Sequence, residues 1–381
     1  MPFKRAGLNV LAVSRGAYPD LDDALKKLQL EGLLGEAKHV SVPASGDPLG
    51  AWANIVKKVR DEKIEIVVLH HYHSRDIPDL TNAIRSIRTL DHRPVVAFTS
   101  GDPFYNGFFQ PSHSAVFKST SAAVDLVLST SMGTVADAIV GYGAERVALF
   151  PHAACPVRFP KQDEPHRPSE SEFDVCFIGS NNRPRNPSRS YFWYGLKRER
   201  LIRHLSRKFG ERFALFGTGW EGISSNRGPI AYAEQMQACR SARVVVGGVP
   251  YSPARYYTSD RPFNQIMSGV PFVDLAVEGV ETILRDGEHW QLSDSIAGVA
   301  DRVDDLLCLP DSVRIEMGEA AAGFVAENHT QVDRLRWLFR TLDSLRHSIL
   351  AETRPSMPSL DFLLPEARTP RQAELATRGW L

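Results

Sequence analysis

Arg261 opens the segment Ser259-Asp260-Arg261-Pro262-Phe263-Asn264-Gln265-Ile266-Met267-Ser268-Gly269, whose residue types spell a loop, a short helix and a stop. Ser259 or Asp260 suits the cap, Pro262 fits the first turn, and Gly269 suits the left-handed residue that ends a helix. Unpaired N–H groups and the helix dipole point the same way at such a start, which favours an anion. A guanidinium beside them grips a phosphate in two places. Upstream, Val244-Val245-Val246 closes in Gly247-Gly248, a strand opening into a loop where a ligand can approach the backbone. Downstream, residues 270–273 read as a buried strand, and Glu278-Gly279-Val280-Glu281 as a loop leading into a helix.

The elements that must position these groups follow from periodicity. In the first half, strands are expected at residues 8–13, 39–42, 64–69, 94–98, 124–128 and 147–150, with helices at 20–30, 52–60, 81–90 and 131–140. Alternation at this spacing gives a parallel sheet covered on both faces, and ligands of such sheets sit beyond the carboxyl ends of the strands. Four places at those ends carry polar residues: Arg15 and Gly16, His71 and His73, Asp102, and His152. His71 and His73 alternate onto one face of an extended chain, as metal ligands would. No carboxylate or cysteine lies in that loop before Asp76, so no metal is expected.

The second half repeats the scheme. Strands are expected at 173–178, 213–216, 244–246 and 270–273, and helices at 197–209, 233–241, 299–307 and 313–327. Residues 156–172, rich in proline and charge, read as a linker. Apolar residues Val332, Leu335, Leu338, Leu342, Leu345 and Ile349 form one face of a last helix, followed by a proline-rich tail at 350–381. Residues 360–364 of that tail are candidates to dock on the first domain or on a neighbouring subunit, the latter giving a homodimer.

At 381 residues two domains are the natural division. Lys+Arg and Asp+Glu are both 45, so the basic excess of a nucleic-acid binder is missing. Cys155, Cys176, Cys239 and Cys308 lie far apart and form no metal-binding spacing. No apolar run reaches transmembrane length, and residues 8–13 are too short for a signal-peptide core, so a soluble cytoplasmic protein is expected.

The order strand, glycine loop, Arg-x-Phe-x-x-x-x-x-Gly-x-Pro, strand, acidic glycine loop resembles the donor-nucleotide site of GT-B glycosyltransferases, closest to the group-1-like family that includes spore-maturation-type enzymes. The resemblance covers roughly residues 173–330, closing in Glu327-Asn328-His329-Thr330, and implies an α/β fold of two Rossmann-like doubly wound domains facing a cleft. The expected division is residues 1–155 on the acceptor side, 156–172 as linker, 173–330 for the nucleotide-sugar, and 331–349 as a helix crossing back. The Asp-x-Asp of Asp20 and Asp22, a metal motif of a different glycosyltransferase fold, here opens a helix, where acids favour the dipole.

The same resemblance implies a UDP- or GDP-linked sugar donor, a small-molecule or glycan acceptor, and no metal or other cofactor. The loop Gly179-Ser180-Asn181-Asn182-Arg183-Pro184-Arg185 would face the diphosphate with Arg261, Pro262 and Phe263, and Arg200 stands near a family arginine. Gly217 and Trp220 would border the donor site, with Trp220 on a base or on the wall, and Ile230 lies where relatives contact the base through backbone. Asp102 matches the acidic residue near the transferred sugar, with His71 or His73 as an alternative base. Arg15, Gly16 and His152 fall on the acceptor side. Asn264 stands where many relatives carry the glutamate that holds the ribose, and Tyr256 and Tyr257 stand where another carboxylate is common. Glu278 and Glu281 are candidates to replace it. These departures leave two alternatives open, a binding protein with weak or lost turnover and a sugar-nucleotide epimerase. No G-x-G-x-x-G follows the first strand, which argues against a nicotinamide dehydrogenase.

Overall fold

The computed structural model of the chain describes residues 7–16, 18–42, 47–71, 78–102, 104–105, 110–188, 191–248, 254–356 and 358–367. In the first half, β1 (Leu8–Ser14), α1 (Pro19–Leu30), β2 (Leu34–Ser41), α2 (Pro48–Asp61), β3 (Ile66–His70), α3 (Thr81–Arg88), β4 (Val95–Thr99), α4 (Ala115–Ala123), β5 (Leu126–Ser129), α5 (Thr134–Gly141) and β6 (Val147–Leu149) alternate. The second half runs β7 (Phe173–Ile178), α6 (Phe192–Phe209), β8 (Phe213–Phe216), β9 (Asn226–Gly228), α7 (Gln235–Arg240), β10 (Ala242–Val246), α8 (Asp260–Ile266), β11 (Phe272–Leu275), β12 (Gln291–Ser293), α9 (Ile296–Cys308), α10 (Asp311–Asn328) and α11 (Gln331–Leu350).

The strands form two six-stranded sheets, ordered β2-β1-β3-β4-β5-β6 and β9-β8-β7-β10-β11-β12, with parallel pairings throughout. Val67 to Leu69, Val95 to Phe98 and Val244 to Val246 are buried along their whole length, as strands covered on both faces must be. In each sheet the order reverses once, between β1 and β3 and again between β7 and β10. At a reversal the following loops diverge to opposite faces and leave a crevice.

Three elements were not anticipated. The three residues of β9, Asn-Arg-Gly, hold no apolar side chain, and β12 holds a single leucine. The sequence of α4 is Ser/Thr-rich, yet Ser114 caps it by accepting from the Phe117 N–H at 3.1 Å.

The chain passes between the sheets twice, and the two passages lie side by side. Ala154 N–H donates to His329 O at 2.8 Å, and Gln331 N–H to Ala154 O at 2.9 Å. Thr330 and Asp333 then form a reciprocal cap that starts α11. This helix crosses back onto the first sheet's layer, where Arg336 pairs with Glu31 and Arg346 with Glu65, each at 2.8 Å. Residues 360–364 dock within the chain: Phe362 meets the Trp337 ring at 5.1 Å, Trp337 Nε1 donates to Ser359 O, and Leu364 N–H donates to Thr282 O at 2.8 Å. They thus tie the crossing helix to a loop of the second sheet.

His329 and Arg334 lie inside this junction, each 1% exposed. Arg334 donates to Pro151 O at 3.2 Å and to His329 Nδ1 at 2.7 Å. Burial, then the Arg334 charge, holds the His329 imidazole well below its usual value, so it stays neutral and accepts. Burial also pulls Arg334 down to about 9 and His166, elsewhere in the passage between sheets, to about 4. In the unfolded chain each histidine takes a proton near pH 6.5, while the folded state resists it, so unfolding gains protons in acid. This contribution to stability is complete above the unfolded value and is lost as pH falls toward the folded value. The melting temperature is therefore expected to be level from pH 8 to 7 and to drop between pH 6.5 and 5. His329→Asn, which keeps an acceptor for Arg334, should flatten part of that drop. A melting temperature unchanged down to pH 5 would contradict the assignment.

Candidate functional site

Both sheet reversals open onto one region, and two cavities meet there. One, of about 190 Å³, is lined by Phe159, Ile178, Gly179, Ser180, Tyr232, Gln235, Asp260, Arg261, Asn264 and Gln265. The other, of about 220 Å³, is lined by Tyr18, Asp20, His70, His71, His152, Cys155, Arg158 and Asp260, among others. The first belongs to the β7/β10 reversal and the second to the β1/β3 reversal. Asp260 belongs to both, so the two ligand-accessible spaces are adjacent.

In the first cavity, residues 260, 261, 264 and 265 share one face of α8. A Cβ at Gly179 would stand 3.2 Å from Arg261 Cζ and Nη1, so the guanidinium lies against bare backbone. Arg261 is partly exposed and has no hydrogen bond or ion pair to a protein group among the described residues. Ser259, expected with Asp260 as a candidate cap, occupies the cap position without a side-chain cap bond, and its buried Oγ has no partner among the described residues. Burial, then the Asp260 charge, pushes the Tyr232 phenol up, so it remains a neutral hydroxyl.

The Gly179 loop is held from three sides. Trp220, 1% exposed, donates from Nε1 to Gly179 O at 2.6 Å. Gly217 adopts φ +140°, and a Cβ there would overlap the Gly179 carbonyl. Arg198, on α6, donates to Ser180 O at 3.2 Å and to Gly248 O at 2.9 Å. It therefore joins the loop after β7 to the loop after β10, across the reversal. Arg200, two residues along the helix and so on another face, is exposed and points away from these loops. Arg185 is exposed farther along the loop, and Arg183 turns back onto α6, pairing with Glu199 at 2.8 Å.

The second cavity carries a cluster of rings. His71 follows β3 with φ +49°, a costly conformation for a side-chain-bearing residue. Its ring stacks 6.1 Å from His152 and lies 4.2 Å from His70, while Tyr18 meets His70 edge-on at 4.9 Å. His152 Nε2 is buried without a hydrogen bond and stands 3.9 Å from Asp102 Oδ1. That gap is too long for a direct hydrogen bond. Tyr257, from the second half, donates to the same Asp102 oxygen at 2.6 Å, so both halves meet at this carboxylate. Asp20 and Asp22 diverge, one to Arg158 at 2.5 Å and the other to His39 at 2.8 Å. Among the described residues no group of three or more His, Cys, Asp or Glu could hold a metal. His73 lies outside the described residues.

The remaining expected residues separate into lining and support. Pro262 and Phe263 are buried behind Arg261, and Phe263 stacks 5.6 Å from His329. Asn264 reaches the cavity wall, but its Oδ1 accepts from the Cys155 N–H at 2.8 Å and its Nδ2 donates to Asp260 at 3.3 Å. Ile230 is partly buried against the core and Trp220 stands behind the loop, so neither lines the cavity. Glu278 is exposed and pairs with Arg255 at 2.8 Å, and Glu281 is exposed on the short turn Val280–Thr282. Arg15 and Gly16 stand beyond β1, where Gly16 has φ +105°. Tyr232, Phe159, Gln235, Gln265 and Arg198 were not anticipated. They come from a helix start, a linker and a helix interior, and only the fold brings them to one place.

Residues 197–340 match the family described as glycosyl transferase-like. A glycosyltransferase from Rickettsia africae superposes with a TM-score of 0.59 at 11% identity, covering 91% of this chain and 100% of its own. An α,α-trehalose-phosphate synthase (UDP-forming) from Burkholderia vietnamiensis gives 0.57 at 12%, covering 88% and 97%. HepE from Anabaena, solved with UDP and glucose, gives 0.54 at 13%, covering 88% and 100%. No curated protein sequence matches the chain. The shared architecture is the GT-B fold.

Gly217 and Gly222 allow the loop's construction to be tested. Both have φ in the left-handed half of the map, but a Cβ at Gly222 meets nothing within 4 Å. Gly222→Ala should therefore cost about 1 kcal/mol of stability, from conformation alone, and leave nucleotide binding intact. Gly217→Ala should cost at least about 2 kcal/mol and weaken binding, because the Gly179 carbonyl must move. Equal effects in chemical denaturation and in nucleotide titration would contradict this account.

Proposed function

Since residues 197–340 are a glycosyl transferase-like domain and the chain has the GT-B fold, we propose that the protein transfers a sugar from a nucleotide-sugar to an acceptor without a metal ion. One observation carries the site assignment: an arginine without a counter-ion among the described residues lies against a side-chain-free backbone in a cavity at the second sheet's reversal. A half-buried guanidinium is poorly hydrated, and an anion with several oxygens is its natural partner. The diphosphate of a UDP- or GDP-linked donor supplies one.

In the proposed reaction the acceptor hydroxyl attacks the anomeric carbon, forming a C–O bond as the bond from that carbon to the diphosphate oxygen breaks. The electron pair leaves with the diphosphate, and Arg261 meets the charge that develops there. The acceptor occupies the cavity beside His71 and His152, across Asp260 from the donor. Asp102 orients its hydroxyl and receives the proton, with the His152 ring beside it. Tyr257 steadies the carboxylate from the other half of the chain, so this arrangement exists only when the halves face each other.

Among the described residues no helix is long and apolar enough to cross a membrane. Four free thiols, three of them buried, support a reducing compartment, and we propose the cytoplasm.

Arg261→Ala should weaken UDP or GDP binding by at least about 2 kcal/mol, roughly thirtyfold in Kd, by removing a charge-assisted contact. Isothermal titration measures it, and unchanged affinity would remove the argument. A panel of nucleotide-sugars, followed by released diphosphate with and without acceptors, tests turnover.

A further inference from the structure

Residues 183–212, with α6 at their centre, hold ten Lys or Arg against two Glu, a formal charge of +8, while the neutral chain carries −8 everywhere else. The helix concentrates this charge on one side. Trp193, Lys197, Arg200, Arg203 and Arg207 recur at three- and four-residue spacing and so share the outer face of α6. Trp193 is 43% exposed, and Arg200, Arg203 and Arg207 are exposed with it. Leu201, Ile202, Leu205 and Phe209 turn the other way, into the core of the second half.

Cations on a helix surface are commonly met by acids of the same chain. Here Glu199, at the edge of the face, takes Arg183 and Arg203, and Lys208, on the opposite flank, pairs with Asp304. Lys197, Arg200 and Arg207 make no hydrogen bond or ion pair among the described residues. With Trp193 they span about 21 Å of helix. A row of that length matches an extended anionic surface rather than one small anion.

The aromatic groups select the surface. Trp193 packs edge-on to Phe192 at 5.1 Å, and both stand at one end of the row, with no ring between its cations. Stacking on nucleic-acid bases needs rings set along the charged track. A tryptophan at the end of a cationic face suits the head-group layer of an anionic bilayer, where the ring enters the boundary and the cations stay among phosphates. That end of the row is close to the first half, because Tyr194 meets the Tyr105 ring at 6.3 Å.

We infer that the outer face of α6 docks the protein reversibly on an anionic membrane surface, a property independent of the donor reading above. Cosedimentation with phosphatidylcholine vesicles, with and without about one third phosphatidylglycerol, tests it. The wild type should bind the anionic vesicles, ignore the neutral ones, and come off as salt rises to about 0.5 M. These readings need no variant. Each unpaired cation should contribute about fivefold, so Lys197→Gln, Arg200→Gln and Arg207→Gln together should lose roughly a hundredfold in partitioning. Trp193→Ser should bind about fivefold more weakly. Lys26→Gln, Lys57→Gln and Arg60→Gln together, the same change of charge on α1 and α2, should keep wild-type binding.

A wild type that binds neither vesicle, or both equally, overturns the inference. So does full binding by the α6 or the Trp193 variant, or an equal loss in both triple variants, which would make net charge responsible instead of this face. A single-stranded polynucleotide that binds more tightly than the vesicles, and is lost with the α6 cations, would assign the face to nucleic acid and overturn it too.

Discussion

The guanidinium of Arg261 lies on the bare Cα of Gly179 with no counter-ion among the described residues, and the candidate site is built around keeping it there. Arg158, Arg336 and Arg346 pair with the carboxylates of Asp20, Glu31 and Glu65, and the buried Arg198 and Arg334 donate to backbone carbonyls. Arg261 has no such partner among the described residues, and partial burial raises the worth of any anion that enters. The loop beneath it is correspondingly constrained. Trp220 holds the Gly179 carbonyl, Gly217 makes room for it, and Arg198 anchors both loops of the sheet reversal. These residues shape the cavity without lining it.

The second constraint is the facing of the two halves. Asn264 joins α8 to the passage between sheets through Cys155, one residue from the Ala154 bridge. Arg334 and His329 fill the junction behind it, and residues 358–364 strap the crossing helix to Thr282. Asp260 then borders both cavities, and Tyr257 of one half meets Asp102 of the other. Donor and acceptor chemistry in the proposed reaction would depend on this junction as much as on the cavity walls.

The alternation of apolar runs and amphipathic helices made the first sheet and the four central strands of the second legible, whereas the edge strands β9 and β12 carry too few apolar residues to show. Arg261 and Gly179 were legible for a related reason: a strand end followed by glycine, and a capped short helix, are local patterns. Arg198 was not. It sits inside a helix whose charged residues look alike in sequence, and a phase difference of two residues separates it from Arg200, which the motif suggested. Asn264 looked like a ligand contact because its type suits a diol, and only the tertiary bond to Cys155 shows where its carbonyl goes. The cavity formed by Tyr232, Phe159 and Gln265 draws on residues more than a hundred positions apart, a juxtaposition no local pattern encodes.

The most direct test of the central claim is a crystal structure of the protein with a bound UDP- or GDP-sugar. The account predicts the diphosphate in the cavity between Gly179 and α8, with its oxygens within hydrogen-bond distance of the Arg261 guanidinium and the sugar directed toward Asp260 and His152. A nucleotide bound elsewhere, or a diphosphate in that cavity with Arg261 turned away from it, would contradict the account.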